Sequence, residues 1–430
     1  MARKMKDSGI EWIGEIPEGW RTINPKALFT QRKDKAQKGE RQLTSSQQYG
    51  ILYQDDYMEL TGSKVVTVEK DFDILKHVEA GDFVISMRSF QGGLEYSTKS
   101  GAISSAYVML VPNLELVYPR FYRWLLKSSV YIDALQRTTN MVRDGQAMRY
   151  SNFAQVRLFT LPLDEQKSRA DFLDLECSSI DKILFKTRSS IEEYKKLKQA
   201  IITQAVTKGV RSEREMKDSG VEWAGLVPHY WGVAKIGSIG QTSSGATPLR
   251  SKEASFFDDA AIRWVRTLDL NDGLVYDSSE KITELALASS ACSIMPKGTV
   301  CVAMYGGAGT IGKCGLLMSD CATNQAVCSI VCNREIVSPI FLLMQLLALK
   351  SYWMKYAVGT RKDPNISQDV VARMKILIPP LDEQKEITDY LDAKCAEVDK
   401  LIAKKEQLVK ELESYKKSLI YEVVTGKREV

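Results

Sequence analysis

An internal repeat is the strongest constraint on how this chain folds. The segment MKDSGIEWIGEIPEGW at Met5–Trp20 returns as MKDSGVEWAGLVPHYW at Met216–Trp231, with ten of sixteen positions identical. A second segment, PLDEQK, stands at Pro162–Lys167 and again at Pro380–Lys385. Two matches in the same order, at offsets of 211 and 218, indicate a tandem duplication. Each half, about 215 residues, is therefore expected to form the same kind of unit.

Each PLDEQK segment opens a charged stretch that contains no proline. Apolar residues recur there in alternating steps of four and three over more than four heptads, which is the a/d seam of a coiled coil. A helix over 164–207 has 44 residues and a length of about 66 Å. Asp164 and Asp382 are predicted to cap the first turns, and Gly209 and Gly426 follow the last periodic residues, where helices can end.

Two long helices with matching seams in one chain are predicted to pack on each other. Separate burial of each helix in its own domain is the alternative, but the charged outer faces and narrow seams argue against it. Lys198 and Lys416 also lie in the seam, where a lysine costs stability and can fix the register. The main seam residues are Leu173, Ile180, Leu184, Ile191, Ile201, Leu391, Val398, Ile402, Val409 and Leu419.

The remaining blocks, residues 17–161 and 217–378, are predicted to be mixed α/β. Each carries one amphipathic helix opened by proline, over Pro119–Gln136 and Pro339–Tyr356. The order of elements is shared while the side chains differ widely, as expected of two equivalent modules that recognise different things. Each block also contains two β-rich runs between turn residues, Asp82–Met87 and Ala106–Val111, then Thr299–Met304 and Ala326–Val331.

Composition excludes several classes of protein. With 44% hydrophobic residues and a mean hydropathy of −0.21, the chain of 430 residues is expected to be globular. Only two histidines, His77 and His229, argue against a multi-histidine metal site. The N-terminal sequence lacks the apolar core of a signal peptide, and the most apolar stretch, 340–349, is too short to cross a membrane. Eight cysteines without a paired framework indicate reduced thiols in a cytoplasmic protein.

The formal net charge of +5 is concentrated in the two globular blocks. Residues 17–161 carry 19 basic and 15 acidic side chains, and residues 217–378 carry 16 and 14. A surface that contacts DNA phosphates requires such an excess. An imbalance this small also fits any soluble domain, so it does not decide the function.

One motif, GAGTIGKC at Gly307–Cys314, matches nucleotide-binding fingerprints. Both the G-x-G-x-x-G and the G-x-x-x-x-G-K-[ST] motif need a following helix whose N-terminus holds phosphate. Here Gly315 and Leu316–Met318 lead into another β-like run and a turn at Ser319–Asp320. The motif is therefore interpreted as a glycine hairpin between strands, with a nucleotide-binding loop as the alternative.

Other catalytic or metal-binding patterns are incomplete. Six cysteines fall between Cys292 and Cys332 without a C-x-x-C pair, so they are predicted to fill strands rather than bind zinc. The E-x-K triplets at Glu165–Lys167 and Glu383–Lys385 are interpreted as helix caps and surface charge. No N-P-P-Y or D-P-P-Y sequence is present, so an adenine methyltransferase active site is missing. The chain is therefore expected to bind rather than to catalyse.

In combination, the anchors D-S-G-[IV]-E-W-x-G-x-[IV]-P-x-x-W and P-L-D-E-Q-K, followed by heptads, resemble the specificity subunit of type I restriction–modification systems. The resemblance covers the whole chain. Gly81–Leu110 is similar to one subtype of target recognition domain in that family, while Ser243–Pro248 and Thr310–Ala326 resemble another. Leu161 stands where the family often has a second proline before the helix, whereas Pro379 keeps it.

The resemblance implies an α+β fold with two mixed α/β target recognition domains, each followed by a long helix, and an antiparallel coiled coil between the two helices. It divides the chain into five segments: an N-terminal conserved segment 1–16, target recognition domain 1 over 17–161, a helical spacer 162–211, target recognition domain 2 over 212–378, which opens with the repeated anchor 216–231, and a second helical spacer 379–430.

The resemblance also implies a function and partners. Each recognition domain would read one half of a split site on double-stranded DNA, and the coiled coil would set the gap. The helices would dock two modification subunits, which bring S-adenosylmethionine and N6-adenine methylation, and restriction subunits would add ATP- and Mg²⁺-dependent cleavage. This chain itself would carry no cofactor, no metal and no catalytic residue, and no membrane would be involved.

Base readout requires Arg, Lys, Asn or Gln on loops that can reach a groove. A solvated or turn-stabilising side chain is the alternative at every position. In the first module the predicted DNA-binding residues are Arg88, Ser89, Gln91, Arg143, Gln146, Arg149 and Tyr150. In the second module they are Tyr305, Thr310, Asn324, Gln325, Arg361, Lys362 and Asn365.

Two other functions stay open on the residues alone. A tandem scaffold could use the coiled coil for assembly and would not bind duplex DNA. A nucleotide-dependent enzyme could use the glycine loop Gly307–Cys314. Phosphate contacts weaken as salt rises, so salt-dependent binding to duplex DNA separates the first alternative from a DNA-binding subunit.

Overall fold

The computed structural model describes residues 3–68, 72–86, 92–138, 149–212, 214–306, 309–359 and 364–430, without the side chains of 252, 253, 259–261 and 359. The chain forms two compact units. Unit 1 consists of Met1–Arg188 and Gln407–Val430, and unit 2 consists of Ser189–Glu406. Each unit therefore combines one globular block with one stretch of each long helix.

Unit 1 is a mixed α/β unit. Its strands are β1 Met5–Asp7, β2 Glu15–Pro17, β3 Arg21–Ile23, β4 Phe29–Arg32, β5 Leu43–Ser46, β6 Gly50–Tyr53, β7 Lys76–Val78, β8 Phe83–Ile85, β9 Glu95–Tyr96, β10 Gly101–Ile103, β11 Val108–Pro112 and β12 Leu158–Thr160. Its short helices are α1 Pro25–Leu28, α2 Gln54–Thr61, α3 Pro119–Leu125, α4 Ser129–Arg137 and α5 Tyr150–Gln155, with a 3₁₀ turn at Phe72–Ile74. The long helix α6, Leu163–Lys208, begins in this unit.

Unit 2 repeats this plan with additional strands. They are β13 Met216–Asp218, β14 Leu226–Pro228, β15 Gly232–Lys235, β16 Gly240–Ser244, β17 Phe257–Val265, β18 Gly273–Val275, β19 Lys281–Ile282, β20 Ile294–Met295, β21 Val300–Ala303, β22 Cys314–Leu317, β23 Cys321–Thr323, β24 Val327–Cys332, β25 Val358–Gly359, β26 Pro364–Asn365 and β27 Lys375–Ile378. The helices are α7 Glu253–Phe256, α8 Glu284–Ala288, α9 Pro339–Ala348, α10 Gln368–Arg373 and the long α11 Leu381–Val424. Ile236–Ser238, Arg250–Lys252 and Lys350–Lys355 are 3₁₀ turns.

The same antiparallel three-stranded core lies in both units. In unit 1 the order β4-β11-β8-β9 pairs Pro112 with Phe29, and in unit 2 the order β16-β24-β21-β22-β18 pairs Cys332 with Gly240. The four β-rich runs of the sequence become the central strands β8, β11, β21 and β24, as predicted. The duplication therefore extends through the globular blocks, where the sequence has diverged, because an antiparallel ladder depends mainly on backbone groups and on which face is buried.

The two long helices pack antiparallel and form a coiled coil. In unit 1 the Lys416 ammonium lies 2.6 Å from a carboxylate oxygen of Asp181, and in unit 2 the Lys198 ammonium lies 2.6 Å from Asp399. The two lysines and the two aspartates each occupy equivalent positions of the repeat. Each seam lysine therefore has an acidic partner on the opposite helix. The half-exposed pairs contribute little stability, but they disfavour a shifted register.

Side chains of the seam are buried or half-buried. Leu173 and Leu391 are fully buried, and Ile180, Leu184, Ile191, Val398 and Leu419 are nearly so. Ile201, Ile402 and Val409 are half-buried. The long helices end next to Gly209 and Gly426, as predicted from the sequence. These glycines adopt positive φ angles of 71° and 78°, which other residues adopt only with strain.

Two expectations about helix boundaries are wrong. The amphipathic helix over 119–136 is broken between α3 and α4, because the Ser128 hydroxyl donates to the Leu125 carbonyl (2.7 Å) and accepts from the Tyr131 amide (3.4 Å). Its counterpart over 339–356 also breaks, since α9 is followed by a 3₁₀ turn. Asp164 and Asp382 lie inside the first helical turns rather than at the caps, where their charges favour the positive end of the helix dipole.

Candidate nucleic-acid interface

The two repeated anchors meet in space, and a buried glutamate joins them. In unit 1 the indole Nε1 of Trp20 donates to Glu165 at 3.1 Å, and in unit 2 Trp231 donates to Glu383 at the same distance. Both indoles are fully buried. An arginine also donates to each carboxylate. It is Arg3 in unit 1 and Arg214, at the equivalent position of the repeat, in unit 2. The anchor and the start of the long helix therefore form one rigid joint in each unit.

The neighbouring glutamine fixes the next segment in both copies. The side-chain oxygen of Gln166 accepts from the Tyr118 amide at 2.7 Å, and that of Gln384 accepts from the Ser338 amide at 2.8 Å. Each side-chain NH₂ donates to two backbone carbonyls at 2.8–2.9 Å. These glutamines hold a third repeat, N-x-E-[LI]-V-x-P at 113–119 and 333–339, which the sequence analysis missed because only four of its seven positions are identical.

The E-x-K triplets were therefore misread as caps and surface charge. Glu383 is fully buried and Glu165 is mostly buried. The sequence shows a charged residue at the start of each helix. The tertiary structure adds that a tryptophan and an arginine donate hydrogen bonds to this carboxylate, which allows it to be buried. The lysines of the triplets, Lys167 and Lys385, are exposed as expected.

The joint in unit 1 predicts an acid-sensitive contribution to stability. Burial raises the pKa of Glu165, but hydrogen bonds from Arg3, Arg169 and Trp20 outweigh it and lower this pKa to about 2. Because the folded pKa is depressed, the stabilisation is complete above the unfolded value of about 4.3 and is lost as pH falls toward 2. Urea unfolding at pH 7 and pH 3 should show a larger loss for the parent than for Glu165→Gln; equal losses would contradict the assignment.

The predicted DNA-binding residues fall mainly in two stretches of sequence at equivalent places in each half. The first stretch follows strand β8 in unit 1 and β21 in unit 2. The second stretch precedes a short helix, α5 in unit 1 and α10 in unit 2. The described parts of the two stretches in unit 2 are the first loop, at Tyr305, and the second loop, at Asn365.

In unit 2 the structure brings the two loops together. Tyr305 of the first loop and Asn365 of the second form an antiparallel β-bridge. Both residues line a cavity of about 710 Å³ with Ser244 and Gln368. The buried residues Met304 and Ile366 add apolar surface to the lining. A concave site lined by apolar, amide and hydroxyl groups can make the contacts that base edges need.

Two segments that resemble a family subtype also converge in unit 2. The Ala246 amide donates to the Thr323 carbonyl at 3.0 Å, and the Thr247 hydroxyl donates to the side-chain oxygen of Gln325. A Cβ on Gly245 would lie 1.9 Å from the Thr323 carbonyl oxygen. Only glycine allows this approach, which brings the SSGATP segment against the TNQA segment.

Several predicted side chains support the loops instead of facing solvent. The Thr310 hydroxyl is buried and donates to the Gly306 carbonyl at 3.0 Å, within the hairpin. The Asn324 side-chain oxygen accepts from the Ala326 amide at 3.2 Å. In unit 1 the Tyr150 hydroxyl donates to the Phe29 carbonyl at 3.1 Å. These contacts match the turn-stabilising alternative, whereas Gln325, Asn365 and Arg149 are exposed.

Seven predicted residues lie outside the residues that the structure describes. They are Arg88, Ser89, Gln91, Arg143, Gln146, Arg361 and Lys362. Sequence reasoning also missed Ser244, Thr247 and Gln368, although Ser244 and Thr247 belong to the quoted SSGATP segment. The Gln368 side chain donates to the Thr242 carbonyl at 2.9 Å. No local sequence pattern predicts this contact.

The glycine motif forms a hairpin between paired strands. Strands β21 and β22 pair antiparallel around it, with Val300 opposite Leu316. Cys314 opens β22, so a strand and not a helix follows the motif. A Cβ on Gly312 would lie 2.2 Å from the Trp353 ring, at a φ of +76°. Gly312 therefore serves a tight turn against Trp353, and a strand stands where a phosphate loop requires a helix N-terminus.

Six of the eight cysteines are buried, and Cys332 and Cys395 are half-buried. Burial raises the pKa of Cys301, Cys314 and Cys328, so little thiolate forms at neutral pH. Among the described residues, no group of three or more His, Cys, Asp or Glu side chains is arranged to hold a metal ion. In the same part of the chain, no helix combines the length and apolar character needed to cross a membrane.

Comparisons with known proteins agree with one another. The profile of the type I restriction modification DNA specificity domain matches residues 228–413. The MjaVIII specificity subunit of Methanocaldococcus jannaschii is 24% identical over 81% of this chain and 80% of its own length. The putative MjaX specificity subunit of the same organism is 21% identical over 96% of this chain and 95% of its own.

Solved structures show the same fold. A chain from a type I R-M system, studied for complex assembly and conformational transition, has a TM-score of 0.71 at 14% identity and covers 96% of this chain and 99% of itself. The HsdS subunit from Thermoanaerobacter tengcongensis has a TM-score of 0.51 at 14% identity, covering 96% of this chain and 98% of itself. The match spans both globular blocks and both long helices.

Proposed function

We propose that this chain, which is similar to type I restriction–modification specificity subunits over its whole length, is such a subunit and that its two modules each read one half of a split, asymmetric DNA sequence. One observation carries the proposal. The same three-stranded core occurs in the central sheet of both units, but the residues that follow β8 and β21, and those that precede α5 and α10, differ between the two halves of the sequence. A repeated scaffold that carries different residues at these places suits two modules that each bind DNA but recognise different sequences.

The chain is the non-catalytic subunit of its complex. Base readout in unit 2 is assigned to Tyr305 and Asn365, which line the cavity, and to the exposed Gln325, which accepts a hydrogen bond from Thr247. The antiparallel coiled coil is assigned the role of a ruler for the unread gap. Half-sites about 10 bp apart would place both modules on one face of the duplex.

The partners that we propose supply all the chemistry. Two modification subunits dock on this chain and bring S-adenosylmethionine, and they methylate adenine N6 after flipping the base out of the stack. Restriction subunits add ATP- and Mg²⁺-dependent cleavage. This chain would bind neither cofactor and would direct both reactions to its sequence in the cytoplasm.

Co-expression with the cognate modification subunit, followed by single-molecule sequencing for N6-methyladenine, tests this function. We expect one new split motif with methylation on both strands. Exchange of residues 217–378 for those of another specificity subunit should change one half of the motif only. A soluble complex that methylates no new motif, or methylates without sequence preference, would contradict the proposal.

Arginines in the sequence stretches before α5 and before α10 are expected to contribute affinity. Arg149 is exposed at the start of α5, and Arg361 precedes α10 in sequence. Arg149→Ala and Arg361→Ala should each weaken binding to cognate duplex, by about 5- to 150-fold if a base contact is lost, while the melting temperature stays unchanged. A gel-shift titration at one salt concentration measures this, and parental affinity in both variants would remove the assignment.

A further inference from the structure

A pair of matching grooves lies outside the predicted DNA-binding loops, one groove in each unit. The groove in unit 1 has a volume of about 260 Å³ and is lined by Ile10, Glu11, Trp12, Arg137, Val156 and Arg157. The groove in unit 2 has a volume of about 470 Å³ and is lined by Val221, Glu222, Trp223, Tyr356, Met374 and Lys375. Most of these residues correspond one to one in the repeat.

Both grooves are built from the same two pieces of chain. One wall is the G-[IV]-E-W turn of the first anchor, at Gly9–Trp12 and Gly220–Trp223, where both glycines have positive φ angles of 65° and 63°. The opposite wall is the segment that joins the short helix, α5 or α10, to the strand that precedes the long helix. The duplication has therefore kept one surface groove twice.

Internal packing does not account for the glutamate that is repeated in this turn. The side chains of Glu11 and Glu222 are 88% and 64% exposed, and each pairs with an exposed cation, Arg137 and Lys355 respectively. Exposed pairs of this kind contribute little to stability. Burial explains why Trp20 of the same anchor is repeated, whereas it does not explain why these surface glutamates are repeated.

The lining combines apolar groups, a glutamate that is already paired with a cation, and one further cation that is unpaired within the described part of the chain. Ile10 and Val156 are buried at the base of the first groove, and Val221 and Met374 at the base of the second. Arg157 and its counterpart Lys375 are exposed on the rim. Neither side chain has an ion-pair or hydrogen-bond partner among the residues that the structure describes. An occupant with a carboxylate and an apolar side chain would complement both features.

We propose that the two grooves are equivalent docking sites for an acidic segment with an apolar anchor residue, contributed by a partner subunit that is present in two copies. The proposal rests on the proposed function, where two modification subunits bind one specificity subunit. The recognition loops differ between the units because their DNA targets differ, but the grooves are alike because the same protein docks in each. The apolar bases favour a protein segment over DNA phosphates.

Charge reversal at the rim tests the docking sites. The variants are Arg157→Glu, Lys375→Glu and the double variant, and Lys38→Glu and Lys297→Glu are matched controls at exposed positions away from the grooves. Each chain is co-expressed with the modification subunit, and native mass spectrometry counts the bound copies. We expect two copies for the parent and controls, one for each single variant and none for the double variant, which corresponds to a tenfold or greater loss of affinity at each reversed groove.

Further measurements separate the possible outcomes. Equal melting temperatures and rescue by Arg157→Lys would support a charge contact in a folded protein. Two bound copies in the double variant would overturn the docking sites while leaving the proposed function intact. Lost DNA affinity with both copies still bound would also overturn them, because the rim would then serve DNA phosphates. If the parent itself binds no modification subunit, the proposed function fails first, and methylation sequencing of the parent reports that independently.

Discussion

Replacement of Glu383 by alanine is expected to lower the free energy of unfolding by about 3–5 kcal/mol. The carboxylate is fully buried, and it accepts hydrogen bonds from the Trp231 indole at 3.1 Å and from the Tyr230 hydroxyl at 2.9 Å. It also pairs with the guanidinium of Arg214, which is 8% exposed. Removal of the glutamate leaves a buried cation and a buried indole N–H without a partner, so the cost of desolvating both groups is no longer offset.

Glu386, one turn further along the same helix, provides the matched control. Its carboxylate is 46% exposed and pairs with Arg211 on the surface, so Glu386→Ala should leave the unfolding midpoint unchanged within error. Guanidinium chloride unfolding of parent and both variants at pH 7 measures the difference. A Glu383→Ala protein as stable as Glu386→Ala would show that the anchor joint does not hold unit 2 together.

Gly245→Ala is expected to abolish recognition of the second half-site. The new Cβ would lie 1.9 Å from the Thr323 carbonyl oxygen, so the SSGATP segment must move away from the TNQA segment. Such overpacking costs about 1–3 kcal/mol or more. The displaced segment carries Ser244, which lines the cavity with Tyr305 and Asn365. Cognate duplex should therefore bind about tenfold or more weakly, since one lost base contact costs about 1–3 kcal/mol.

Gly273→Ala is the control in the same unit. The nearest atom to its added Cβ is the side-chain oxygen of Asn271 at 3.6 Å, an ordinary contact. Fluorescence anisotropy with duplexes that carry both half-sites, the first only, or the second only should show that Gly245→Ala retains the first-half contribution and loses the second. Full discrimination of the second half-site by Gly245→Ala would remove this surface from the recognition assignment.

Sequence reasoning identified the large-scale plan of this protein. The heptads of period 3.5 and the repeated anchors extend over many residues. A wrong prediction at a few positions therefore does not change the inference of long helices and a duplication. The strands at 83–85 and 300–303 were also predicted, because short apolar runs between turn residues specify strands locally. The prediction failed where one side chain overrides a pattern, as at Ser128, whose hydroxyl ends one helix and starts the next.

The candidate site was less accessible to sequence reasoning. Residue types on loops pointed to Tyr305 and Asn365, which are 60 positions apart, but their pairing in one bridge depends on where the sheet places both loops. Thr310 was predicted to contact DNA, but its hydroxyl donates to the Gly306 carbonyl within the hairpin. Whether a polar group faces solvent or its own backbone depends on neighbours that are distant in sequence.

The duplication, the course of the long helices and the family resemblance could all be read from the residues alone, because they depend on periodicity and repeated local patterns. The reason why the anchors are repeated could be found only in the folded protein. Glu383 lies 152 positions from Trp231, and Gln384 lies 46 positions from Ser338. A buried charge or amide is tolerated only when distant partners satisfy it, and those partners are brought together by the fold as a whole.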